Sequence, residues 1–470
     1  MPCKNGNLDL HSNDSKIPTA KVINKMKKLL LINPVGRRSG FLLSKFSTFP
    51  PLSLAYIAAI TPSNWEVKIL DENFDKFEFE EADLVGITAF TSNITRAYEI
   101  AQIYRQKKIK VVMGGIHVSM LPDEGLNYVD TVVVGEAEGV WDKLIEDFEN
   151  DCLATKYIGP QIDLSRYGIT PRRDLLHSDY LWQSVQTSRG CPFDCYFCSV
   201  SKHMGRAYRQ RCTESVLNEL ESIRSKYITF VDDNLIGYSQ ESSNRALELF
   251  EGMIQRGMRK KWWMQTSINA VKDERVIKLA AKAGCMFAFI GFETIRSEML
   301  KDMKKGINLR IGIENYKKVI DTFHKYGIAV LGAFIIGNDN ESFEYYEELA
   351  EFLVHSGVDI VQVSILTPIP GTQLMQQLQL DERLLYFDFP KDWDKYRFSY
   401  MVHKPVGVTE DTVYKGNNYI KKKIYSFPIY QYRLLKSFMK LKNLTNLYTV
   451  FKMNQALKKS WLNSHYSKKY

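Results

Sequence analysis

Two successive series of short β-branched runs, separated by helix-length stretches, constrain this chain more than any other feature. In the first, apolar runs at residues 29–32, 67–70, 84–87, 110–113 and 131–134 alternate with helical segments, the clearest at 94–107. Near-continuous apolar strands suit a parallel sheet buried on both faces, and strand–helix alternation gives a doubly wound, Rossmann-like α/β domain over residues 27–150. The second series has candidate strands at 182–187, 227–231, 263–268, 286–292, 328–336 and 359–366, with helices expected at 214–225, 273–282, 313–326 and 343–355. Six repeats in ~200 residues fall short of the roughly 250 that an eightfold barrel needs. Residues 181–380 are therefore expected to form a partial (βα)6 TIM-type barrel. Residues 151–180 show no sustained period and read as a linker, residues 1–26 as a polar flexible tail, and 381–470 as a mostly helical extension.

At 45% hydrophobic and 25% charged residues, the 470-residue chain is neither wholly disordered nor a multi-span membrane protein. No uninterrupted apolar stretch approaches the ~18–20 residues that cross a bilayer. The first 26 residues lack an apolar signal core, so a cytoplasmic location is expected. Charge is uneven. Residues 420–470 carry twelve Lys or Arg and no Asp or Glu, which leaves 51 basic against 54 acidic residues elsewhere. A nearly neutral body thus bears a strongly basic extension.

Seven cysteines are too few for a disulfide scaffold, and they are unevenly placed. Cys3, Cys152, Cys212 and Cys285 stand apart, whereas Cys191, Cys195 and Cys198 form C-x3-C-x2-C just after the second series' first strand. Three thiolates can hold three irons of a [4Fe–4S] cube and leave the fourth iron open. An open iron can chelate an amine and a carboxylate, which S-adenosylmethionine (SAM) provides. The competing reading is a zinc site completed by His203 or Cys212. Arg206, Arg209 and Arg211 follow closely and can offset cluster or carboxylate charge, or form a surface run.

The loop Cys191-Pro192-Phe193-Asp194-Cys195-Tyr196-Phe197-Cys198 resembles that of the radical SAM superfamily, whose fold is a partial (βα)6 barrel. The stretches 229–234, 289–293, 332–337 and 367–372 are similar to its strand-end motifs. The resemblance implies that Cys191, Cys195 and Cys198 ligate the cluster. It implies that Asp232 or Asp233 meets the SAM amino group, that Glu293 contacts SAM ribose or amino acid atoms, and that Ile336 and Gly337 flank the adenine.

In the first domain, small or polar residues collect at expected strand ends: Asn33, Thr88, Thr91, Ser92, Asn93, Gly114, Gly115, Ser119, Gly135 and Glu136. Gly114-Gly115 removes side chains where a strand leaves the sheet, so a flat ligand can approach the backbone. No G-x-G-x-x-G is present, which argues against a dinucleotide. Together with Phe49-Pro50-Pro51-Leu52-Ser53-Leu54, these loops resemble the cobalamin-binding domain that precedes many radical SAM barrels. That implies a corrin lying along them, with His117 a loop residue touching cofactor or backbone. The loop after the first strand, Asn33-Pro34-Val35-Gly36-Arg37-Arg38-Ser39-Gly40, has no histidine, so none is expected below cobalt.

The paired modules resemble cobalamin-dependent radical SAM enzymes. The resemblance implies reductive SAM cleavage to a 5′-deoxyadenosyl radical and methylation of an unactivated carbon. Ring formation or rearrangement without methyl transfer, or a non-catalytic cobalamin- or cluster-binding protein, are the alternatives. In the basic extension, Leu434, Leu435, Phe438 and Met439 can share one helix face flanked by Arg433, Lys436 and Lys440. Such a segment either lies on an anionic membrane or packs on the protein's own body. Similarity to hopanoid methylases implies a small-molecule or lipid-like hydrophobic substrate. An unidentified electron donor is expected, and no nucleic acid.

Overall fold

The computed structural model describes residues 26–36 and 48–463. The N-terminal tail through residue 25, Arg37-Arg38-Ser39-Gly40 of the first loop, and residues 464–470 lie outside them.

The first sheet is formed by β1 (Lys27–Asn33), β2 (Trp65–Asp71), β3 (Leu84–Thr88), β4 (Lys110–Gly114), β5 (Thr131–Gly135) and β6 (Lys156–Gly159). Their order is β2-β1-β3-β4-β5-β6, and every pair is parallel. Apolar runs form these strands because both faces are covered: Leu30 and Ile32 join one buried cluster, Leu29 and Leu31 another. Strand order reverses between β1 and β3, which opens a crevice at their carboxyl ends. β6 falls in the stretch expected to be a linker. It buries Tyr157 and leaves Ile158 exposed, too little pattern to be seen in sequence.

In the second sheet, β7 (Gln183–Val185) is followed by a two-stranded clasp, β8 (Ser188–Arg189) antiparallel to β9 (Arg209–Gln210). Then come β10 (Tyr227–Phe230), β11 (Lys261–Thr266), β12 (Cys285–Glu293), β13 (Ala329–Ile336) and β14 (Ile360–Ile365). The order β14-β13-β12-β11-β10-β7 is parallel and sequential, with β7 and β14 as its two edges. This is the expected partial barrel. Alternation on β11 decides the layers: Trp262 and Met264 join the helix-side core, while Trp263 and Gln265 line an inner cavity. β11 ends two residues before the expected limit, because residues 268–272 turn into a short 3-10 helix.

The extension supplies helices Glu410–Tyr425, Ile429–Leu441 and Leu444–Leu462. The helix at Ile429–Leu441 turns most of its expected apolar face outward. It buries Tyr430, Arg433, Ser437 and Leu441 and leaves Leu435, Phe438 and Met439 exposed. Carbonyl groups at the amino ends of the barrel strands explain this. Arg433 donates to the carbonyls of Val358 and Asp359, Asn446 to that of Gly327, and Asn454 to that of Asp359. Buried carbonyls need donors, and these polar side chains provide them.

His403, bridged to Leu384, is buried, and burial pushes its pKa down from 6.5 to about 4. Its contribution to stability is fully present above pH 6.5 and is lost as pH falls toward 4, where the folded protein at last accepts the proton. The loss amounts to about 3 kcal/mol. Denaturant midpoints at pH 7 and pH 4.5 should therefore differ less in His403→Gln than in the native protein. An equal acid sensitivity would assign the effect to other groups.

Candidate active site

The cysteine loop is held at its base by the clasp and by a buried carboxylate. Asp232, just beyond β10, accepts hydrogen bonds from the Thr187 N–H (3.1 Å), the Thr187 hydroxyl (2.8 Å) and the Ser188 hydroxyl (2.5 Å). Burial raises its pKa and these donors oppose the rise. Gly190 follows at φ +94°, where any Cβ would collide with the Ala207 carbonyl. Cys191 N–H donates to Gly205 O (3.1 Å), and Cys198 N–H to Cys195 O (3.0 Å), which shapes the loop that carries the thiols.

All three thiols are half-buried. Cys191 Sγ lies 3.2 Å from the Tyr238 hydroxyl. Burial raises the Cys195 thiol and pushes the Cys198 thiol up to about 12, while the Lys305 ammonium pulls both down. Lys305 Nζ donates to Glu293 Oε1 at 2.5 Å and lies 5.9 Å from the Phe197 ring. Burial would strip its proton, but Glu293 and the cysteines hold it charged. Glu293 itself sits at φ +67°, after a register shift at the end of β12. A Cβ on Gly291 would strike its carboxylate. Strain of this kind persists where surrounding structure over-determines it.

Among the described residues, no three His, Cys, Asp or Glu side chains gather tightly enough to hold a single metal ion. The fit therefore rests on donor chemistry. Three thiols suit an iron–sulfur cluster, and a buried lysine beside them balances the negative charge that thiolates bring. The residues fit that group. The zinc alternative loses both proposed fourth ligands: His203 lies near Glu136 and Arg189, and Cys212 is exposed at the start of the helix Thr213–Ser222.

Several expected roles change. Asp232 is committed to the loop base, whereas the adjacent Asp233 is exposed. The Asp233 charge reaches Cys198. Ile336 packs into the helix-side core, and Gly337 N–H donates to Glu341 at 2.7 Å under Met401. Arg209 pairs with Glu136 and Arg211 with the buried Glu219, so only the exposed Arg206 remains of that run, donating to Pro192 O at 3.2 Å. The cation beside the thiols is Lys305, which sequence reading missed because Lys304-Lys305 resembles a surface pair.

At the first sheet, half-buried Gly114 leaves room for a side chain, an added Cβ meeting Val133 only at 4.0 Å. A flat ligand can lie there, beside half-buried Thr88 and Ser92. Gly115, at φ +101°, is pressed against Ala89 instead. The other polar candidates are spent inside the protein. Asn33 donates to Asp71 (2.7 Å), Asn93 to Pro34 O (2.8 Å), and Ser119 to Gly115 O (2.8 Å), while the Ser119 oxygen accepts from Gly135 N–H (3.1 Å). His117 lies in the helix Ile116–Met120, not in a loop, fully buried between Thr91 (3.2 Å) and Glu124 (3.1 Å). Glu136 is also buried. It accepts from Arg209, from Ile162 N–H (2.9 Å), and pairs with Arg189 (3.2 Å). Burial would raise its pKa, but those partners hold it below the usual carboxylate range.

Inside the barrel, Trp263, Phe287, Phe289, Phe49, Leu331 and Met453 enclose a cavity of about 200 Å³, with Gln265 and Gln362 its polar groups.

Set against known proteins, the Radical SAM superfamily matches residues 185–353 and the B12 binding domain residues 41–145. An uncharacterized methyltransferase of Pyrococcus horikoshii is 30% identical over 411 residues, covering 79% of this chain and 86% of its own. Hopanoid C-2 methylase of Rhodopseudomonas palustris is 30% identical over 353 residues, covering 72% of this chain and 66% of its own. The structure of radical SAM methyltransferase TsrM from Kitasatospora setae, with cobalamin and [4Fe-4S] cluster bound, matches at TM-score 0.66 and 16% identity, covering 94% and 100% of the two chains. The chain belongs to the cobalamin-dependent radical SAM methyltransferases. Its cofactors are a [4Fe–4S] cluster, SAM and cobalamin.

Lys305 gives a test of the site. A buried cation stabilises an added electron, so Lys305→Met should lower the cluster's midpoint potential in a redox titration. An unchanged potential would separate Lys305 from the cluster.

Proposed function

We propose that this enzyme methylates an unactivated carbon of a hydrophobic substrate. Cys191, Cys195 and Cys198 hold the cluster, Asp233 and Glu293 bind SAM, and the ledge of Gly114, Thr88 and Ser92 holds the corrin. Together these cofactors supply an electron, a radical initiator and a methyl donor. The protein's own residues position them. Lys305 balances charge at the thiols, Asp232 fixes the loop base, and the aromatic cavity excludes water from the reacting carbon. Gln265 and Gln362 orient a polar group of the substrate.

The observation that carries this reading is the ion-pair cluster of Glu136, Arg189 and Arg209. It fastens the carboxyl end of β5 to the residue just before Gly190-Cys191, so the two modules face one another. The hydrophobic substrate is supported by the cavity's walls and by a relative named for a hopanoid. Such a substrate partitions into lipid, so the reading includes membrane contact by the basic extension, together with a separate electron donor. Incubating the reconstituted enzyme with methyl-deuterated SAM and candidate apolar substrates tests it. Labelled methyl in a product supports transfer. Formation of 5′-deoxyadenosine with an unlabelled, altered product would favour ring formation or rearrangement.

A further inference from the structure

The last two helices carry apolar residues on their outward face as well as their inward one. In Ile429–Leu441 and Leu444–Leu462 the inward positions hold Arg433, Ser437, Asn446, Asn454 and Ser460 among the apolar Tyr430, Leu441, Val450 and Met453, all buried. Outward stand Leu435 (56% exposed), Met439 (58%), Leu444 (74%) and Tyr448 (56%), with Phe438 and Phe451 also exposed. Their spacing is helical: 435, 438 and 439 follow i, i+3, i+4, and 444, 448 and 451 follow i, i+4, i+7. The chain reverses at Lys442, at φ +49°, and the Asn443 side chain caps the next helix by accepting from Thr445 and Asn446 N–H. Phe438, Met439, Leu444 and Tyr448 therefore gather around one corner. Scattered surface leucines need no explanation, but an apolar face clustered on the outside of helices whose inner face is already packed does.

Charge identifies what covers it. Lys436, Lys440, Lys442, Lys452 and Lys459 interleave with these residues, and no Asp or Glu occurs after Asp411. Lys440 reaches back to Asp321 (3.3 Å) and Lys436 to His355 O (2.6 Å), while Lys442 and Lys459 are exposed. Among the described residues no helix is long and apolar enough to cross a membrane. A surface of exposed Leu, Phe and Met set among lysines matches an anionic bilayer, with apolar side chains below the headgroups and ammonium groups among the phosphates.

We infer that the helical hairpin 429–462 is a docking surface for anionic lipid, with Leu435, Phe438, Met439 and Leu444 inserted. The inference deepens the membrane contact within the functional reading and rests on that reading for its purpose. The amino ends of β13 and β14 lie under this hairpin, so the docked face is at the opposite end of the strands from the cysteine loop.

The test is flotation of the full-length, cofactor-loaded protein with vesicles of equimolar phosphatidylcholine and phosphatidylglycerol, and with phosphatidylcholine alone. The native protein should float with the anionic vesicles, less so as salt rises. The combined variant Leu435→Ser, Phe438→Ser, Met439→Ser alters exposed positions only, and should lower the bound fraction about tenfold or more. Iron–sulfur and corrin absorbance measured in the same samples reports folding. Equal flotation by native and variant protein would overturn the inference, as would native protein that stays unbound. A native dimer that this variant makes monomeric would do the same, by assigning the face to a second copy. Because binding is read without turnover, its failure leaves the methyl-transfer reading intact. A negative deuterium experiment, conversely, leaves docking intact.

Discussion

Cys198→Ala is expected to strip most of the iron from anaerobically purified protein and to reduce SAM cleavage under dithionite to background. Among the described residues the candidate replacement donors are engaged or remote. Tyr238 serves Cys191, His203 lies near the ion pairs around Glu136, and Cys212 stands exposed on a separate helix. A cluster left with two thiolates loses the defined vacant corner on which SAM binding depends. Cys212→Ala is the control and should retain native iron content and activity. Retention of a full cluster by Cys198→Ala would refute the assignment of all three ligands.

A second large effect is expected at Glu136. Its carboxylate is shared by Arg209, Arg189 and the Ile162 N–H, and all three side chains are mostly buried. Glu136→Ala leaves the mostly buried Arg209 without a carboxylate partner, while Arg189 keeps Glu138 at 2.6 Å, and removing one partner of a buried pair costs about 3–5 kcal/mol. The loss should appear in the denaturation midpoint and in weaker cluster retention, since Arg189 adjoins the cysteine loop. Adding Arg209→Met to the same protein should restore part of the stability, because the cation left without a carboxylate is removed. Full stability in Glu136→Ala would show that solvent already screens the cluster.

The strands were legible because both of their faces are buried, which writes continuous apolar runs into the sequence. The cysteines were legible because thiol chemistry demands their spacing. The allocation of polar roles was not. Asp232 and Asp233 are adjacent, and only the register at the end of β10 sends one inward to Thr187 and leaves the other open. Lys305 reaches the thiols from more than a hundred residues along the chain, through the turn that follows Glu293. His117 looked like a ligand-facing residue because its burial depends on Glu124, which also binds Trp393 of the distant extension. In the C-terminal helices the periodicity was visible but its direction was not. That direction is set by carbonyls at Gly327, Val358 and Asp359, and no helical pattern contains them.

The barrel's floor has a consequence for how this enzyme can be dissected. Leu441, Val450 and Met453 pack against Trp182, Phe287 and Leu331, so the final helices are structural tissue of the barrel as well as its outer skin. Shortening the gene to remove the basic end would unplug that floor, at ~1.5–3 kcal/mol for each large apolar side chain uncovered. A truncated protein that fails to bind or turn over would then say little about either property. Only exchanges on the outward side can separate the two.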